Sequence, residues 1–123
     1  MESILTSIKK MLGIAEEYEQ FDQDLIMHIN TVLTILTQMG VGPNTGFTIV
    51  DKSANWSEFL SNKLYLESVK TYVYLKVRLV FDPPLSTAVM EAMKQMINEL
   101  EWRLLTAVET KALQGEEVGQ NGN

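Results

Sequence analysis

The chain has 123 residues, 46% of them hydrophobic, which is one domain's worth of material, able to withdraw about two-thirds of its unfolded surface from water. It contains no cysteine, and this excludes disulfides, thiolate zinc sites and cysteine nucleophiles. Ten basic residues stand against sixteen acidic ones, a formal net charge of −6 that opposes nonspecific binding to a phosphate backbone.

The leading segment MESILTSIKKMLGI places its lysines after its apolar residues, the reverse of a signal peptide, and no apolar run approaches the length of a membrane span. A protein of the cytoplasm without membrane contact is expected. Ile4, Leu5, Ile8, Met11 and Leu12 recur at helical spacing and predict a short amphipathic helix ending at Gly13, docked on the rest of the chain. It lacks the broad basic face of a membrane-surface anchor. Glu16, Glu17 and Glu19 then read as a solvated loop and not as an ion site.

Asp22 is the expected N-cap of a second helix, with Phe21 and Ile26 placed to close a hydrophobic staple. Its apolar stripe is Leu25, Ile29, Val32, Leu33, Leu36 and Met39, and Gly40 ends it. His28, the one histidine, falls at the edge of that stripe near Val32 and Ile35 and reads as a satisfied, partly buried side chain. No second histidine exists to share a metal with it.

GVGPNTG resembles a phosphate loop only on the surface: it follows a helix, contains Pro43 and lacks the Lys-Ser/Thr pair of a Walker motif, so a turn is expected. FTIV predicts a short extended segment. Asn55 with Glu58 signals a short helix carrying Trp56, Phe59 and Leu60. Residues 41–62 thus form a long, partly ordered connection. Its apolar residues Phe47, Ile49, Trp56 and Phe59 are expected to become ordered on assembly, which makes Trp56 and Phe59 candidates for an interface.

VKTYVYLKVRLVFDPP alternates like a strand but also lines Leu66, Val69, Val73, Val77 and Val80 along one side of a helix. A strand needs partners, and no other segment alternates convincingly, so a helix from Leu66 to Phe81 is predicted, buried on more than one side. Pro83 and Pro84 stop it, and Ser86 or Thr87 caps a last helix with the stripe Val89, Met93, Met96, Ile97, Leu100, Leu104, Ala107 and Val108. Trp102 and Leu105 fall off that stripe, and Lys76 and Arg78 interrupt the preceding helix. These four are the candidate aromatic anchor and cations of a contact surface. Of the seven methionines, Met27, Met90, Met93 and Met96 lie in helices, where core packing is the simpler role for most, beside a plastic groove.

The expected fold is therefore all-α, a small bundle of about four to five helices over residues 1–113, with a disordered acidic tail over 114–123. No nucleophile with its base and orienting group is present, and no catalytic residue, cofactor site or metal site is assigned.

The order of parts resembles that of a known family. The leading helix ending LGI, the segment FDQDLIMHINTVLTILTQMGVG, the long loop, ESVKTYVYLKVRLVFDPP and the closing helix, together residues 3 to 110, resemble the small head-tail connector (adaptor) proteins of tailed bacteriophages and of prophages of low-GC Gram-positive bacteria. The resemblance implies a helical bundle whose copies form a ring, usually dodecameric, docked beneath the portal protein and followed by a tail-side connector or stopper protein. DNA passes through such a ring without specific binding. It also implies residence in the virion, with assembly in the host bacterial cytoplasm, and no catalytic motif. An acidic chain suits a conduit that DNA must traverse without adhering. The other reading is a small acidic helical phage protein that regulates a host or phage protein through Trp102 and the methionines.

Overall fold

Ser3, Asn62 and Ser86 each place a side-chain oxygen on a backbone N–H two or three residues ahead, and a helix begins after each. The structure, a computed structural model, describes residues 2–110, and among them lie five α-helices and no strand. They are α1 (Ile4–Met11), α2 (Asp22–Met39), α3 (Trp56–Phe59), α4 (Lys63–Phe81) and α5 (Thr87–Glu109). The all-α bundle read from the sequence is the observed fold; the expectation for the tail lies outside the described residues.

α4 is the hub. It packs against α1, α2 and α5, and buries Val69, Tyr72, Val73, Leu75 and Val77, so the strand reading of this stretch fails. The helix starts three residues before the expected Leu66, because the Asn62 side chain accepts from the Leu64 N–H at 2.9 Å. Val80, expected on the buried stripe, is exposed.

α2 also begins differently from its prediction. Asp22 is the first helical residue and Phe21 occupies the cap position without a side-chain cap bond. The Asp22 carboxylate turns instead to the Lys9 ammonium, 2.8 Å away, while the Phe21 ring meets Phe81 edge-on at 5.3 Å. At the far end Gly40 adopts φ 96°, and Val41 N–H returns to the Leu36 carbonyl at 2.9 Å, a Schellman-type stop. A side chain at Gly40 is blocked twice, since a Cβ there sits 2.9 Å from Val108 Cγ1 of α5.

The connection between α2 and α4 carries only the single turn of α3, yet it supplies Val41, Ile49, Trp56, Phe59 and Leu60 to the core. FTIV forms no strand; Ile49 is held instead by Asn30, whose amide accepts from its N–H at 2.8 Å and donates to its carbonyl at 2.9 Å. Ile4 N–H binds the Ala54 carbonyl and Trp56 N–H the Glu2 carbonyl, lacing the connection to the start of α1. The expectation that these residues await assembly is thereby corrected: their burial needs no partner.

α5 packs principally on α4. One neighbouring helix covers a narrow strip, so Met93, Ile97, Leu104 and Ala107 are buried, whereas Val89 and Met96, expected on the same stripe, are left half exposed.

Candidate assembly surfaces

Two buried polar arrangements make the scaffold that carries the exposed surfaces. Leu5, Lys9 and Leu12 are spaced by four and three, which puts Lys9 on the apolar face of α1, and the structure buries it. Its ammonium donates to the carbonyls of Glu16 at 2.9 Å and Tyr18 at 2.7 Å and lies beside Asp22. One cation thereby fastens α1, the loop after it and the start of α2. The spacing was the available signal for this residue, although not for its partners.

The second arrangement joins α4 to α5. Tyr72 is buried, and its hydroxyl donates to Glu101 Oε2 at 2.7 Å. Burial, and then the carboxylate accepting its proton, push this hydroxyl well above the usual tyrosine range, so it remains a donor. Lys76 sits over the Tyr72 ring, 5.9 Å from its centroid. No spacing rule foretells this pairing, because Tyr72 and Glu101 lie in different periodic segments.

Of the six residues proposed for an interface, the structure separates core from surface. Trp56 and Phe59 are 2% exposed: the Trp56 indole donates to Ser7 Oγ at 2.6 Å, and Phe59 packs on Phe47 and against Gly42. They belong inside the subunit, which corrects their place among surface candidates. Arg78 is engaged within its own helix end, donating from Nε to the Asp82 carbonyl at 2.8 Å and from Nη1 to the Tyr74 hydroxyl at 3.0 Å. Lys76 is half-buried. Trp102 is 65% exposed and Leu105 is also on the surface, where the off-stripe positions placed them.

Residues that the periodicity did not single out complete the exposed apolar set. Leu64 in the first turn of α4 is 78% exposed and shares a groove with Trp102. At the other end of the same helix pair, Val80 and the fully exposed Leu85 flank Pro83 and Pro84. Six methionines lie in the helices, since Met11 and Met39 end α1 and α2, and of these only Met93 is buried, while Met27 and Met96 face outward. Among the described residues no cluster of acidic, histidine or cysteine side chains can hold a metal, and no helix is long and apolar enough to cross a membrane.

The described residues form a helical scaffold closed by internal polar bonds, with large apolar side chains left outside. The model of the phage connector protein family matches residues 4–111, and the chain belongs to that family. No curated protein and no solved structure matches it. Membership gives the chain a structural connector role in the phage particle.

Proposed function

We propose that the protein is the subunit of a ring that docks on the portal protein, continues the DNA channel and hands it to the tail-side connector or stopper protein. The observation that carries this reading is the exposed apolar set on the α4–α5 pair: Leu64, Trp102 and Leu105 with Val80 and Leu85, on a subunit whose core is already complete without them. A monomer with a finished core has no use for so much outward apolar surface, whereas copies in contact remove it from water at about 25 cal/mol per Å². The net charge of −6 suits a channel wall past which DNA slides without specific binding. The protein acts in the virion after assembly in the host bacterial cytoplasm, needs no cofactor and carries out no chemistry.

The test is electron microscopy of the purified full-length chain mixed with its portal protein. Rings stacked on the portal are the expected result. A chain that stays monomeric and leaves the portal bare contradicts the proposal, and capture of a non-virion protein through Trp102 in its place supports the regulator reading.

A further inference from the structure

The two apolar surfaces of the α4–α5 pair differ in shape and lie at opposite ends. Between the first turns of α4 and the last turns of α5 runs a groove lined by Leu64, Tyr65, Ser68, Trp102, Thr106 and Ala107. At the other end, Pro83 and Pro84 prevent the chain from continuing as helix and leave Leu85 fully exposed, with Val80 before it and Val89 after it also on the surface. The 19 residues of α4 separate the two by about 28 Å at 1.5 Å per residue. One end is a hollow and the other a knob.

Each end carries charges of both signs, but the ones nearest the apolar side chains differ in kind. Arg103 lines the groove and Lys63 immediately precedes Leu64, so cations border the hollow. Asp82 immediately precedes the prolines and Glu91 follows in the second turn of α5, both exposed, so carboxylates border the knob, with the Arg78 guanidinium bonded to the Asp82 carbonyl behind them. Arg103 is held by Glu99 at 2.8 Å and Lys94 stands 3.9 Å from Glu91, both pairs on the surface, where such bonds exchange readily.

We propose that the Leu85 knob of one copy seats in the Leu64–Trp102 groove of the next copy of this chain. This deepens the ring reading and rests on it. A ring requires a heterologous contact, two different patches that complement each other on every subunit, and a single patch of either kind yields only a two-fold dimer. Both patches occur on this one chain, apolar against apolar and acid against base. The knob also lies outside the core, so nothing within the subunit accounts for a leucine held wholly in water.

The absence of native cysteine makes the test clean. Leu85→Cys is prepared in one batch of the full-length chain, and Ser68→Cys and Thr106→Cys in two others, the two groove positions guarding against unsuitable geometry at either. After mild oxidation of concentrated protein, linked dimers are expected from the Leu85→Cys batch mixed with a groove batch, and not from any batch alone. A chain carrying both Leu85→Cys and a groove cysteine is expected to give a ladder of linked oligomers. Linked dimers from Leu85→Cys alone, or no linkage in either mixture, overturn the pairing. Sedimentation of the wild type with the portal protein distinguishes the two levels: rings without linkage sink the knob-and-groove contact and leave the ring standing, and neither rings nor linkage sinks both. As a second readout, Leu85→Asp is expected to weaken self-association at least tenfold with an unchanged circular dichroism spectrum. A Leu85→Asp chain that loses the portal but still self-associates assigns the knob to the portal and also overturns the proposal.

Discussion

The N-terminal part of the subunit and the α4–α5 pair spend their apolar residues differently. From α1 to α3, long-range polar bonds close the structure upon itself: Lys9 to two loop carbonyls and Asp22, Asn30 to both backbone groups of Ile49, and Trp56 to Ser7. The large apolar residues of the connection face inward, and only scattered ones such as Met27 and Val50 stand out. The α4–α5 pair has one buried cross-link, Tyr72 to Glu101, and exposes Leu64, Val80, Leu85, Trp102 and Leu105. The first region closes upon itself, whereas the second leaves large apolar side chains in water. Isolated surface apolar residues are ordinary, and it is the groove and the knob on one helix pair that the proposed contact uses.

Substitutions sharpen that contrast, beginning with the common support of both regions. Val73 is fully buried on α4, and Val73→Asp forces a carboxylate into the core at a cost of several kcal/mol, against a total stability of about 5–15 kcal/mol. Loss of the cooperative thermal transition by circular dichroism is expected. Next comes Lys9→Met, which leaves Asp22 and two carbonyls without their cation and is expected to cost about 3 kcal/mol in urea unfolding. The exposed neighbour serves as control, since Lys10→Met should stay within about 0.5 kcal/mol.

Tyr72→Phe removes the cross-link and is expected to cost about 1.5 kcal/mol, because Glu101 is partly exposed and regains water. Its pH signature is specific. The folded-state pKa of Tyr72 is raised, so the stabilisation is fully present below about pH 10, the value of an unfolded tyrosine, and is lost as pH climbs above it. Wild-type stability should therefore fall more steeply than that of Tyr72→Phe in alkaline urea titrations, and equal slopes contradict the assignment. The smallest effect on folding belongs to Trp102→Ala, within about 0.5 kcal/mol, whereas assembly measured by sedimentation should weaken by about 2 kcal/mol. A Trp102→Ala chain that unfolds places the ring in the core.

Periodicity exposed the helices because it is a local property. The stripe from Leu25 to Met39, the stop at Pro83 and the cap at Ser86 all depend on residues within a turn or two of one another. What escaped it was long-range. The partner of Asp22 lies on α1, that of Tyr72 on α5 and that of Asn30 in an irregular loop, and no spacing rule reaches so far. Trp56 has the same composition signal whether it faces a neighbour or its own core; only the Ser7 hydroxyl beside its indole decides between them. The stripe predicted for α5 is wider than the buried one for a related reason, since the pattern counts apolar residues and not the helices present to cover them. The pattern predicts Val89 and Met96 inside, and they lie half outside. Trp102 and Leu105 were legible as surface residues because they stood off the stripe, but Leu64 and Leu85 were not, because each begins or precedes a helix where periodicity has no hold.

The division between a finished region and an open helix pair is tested most directly by amide hydrogen exchange of the full-length chain, free and assembled with its portal protein. Residues 41–62 should be equally protected in both states, because Ile49, Trp56 and Phe59 are already in the core of the free subunit. New protection should appear at 63–66 and 82–88, where the groove and the knob leave helix ends open to water. Protection gained chiefly across 41–62, with the two ends of the α4–α5 pair unchanged, contradicts the account.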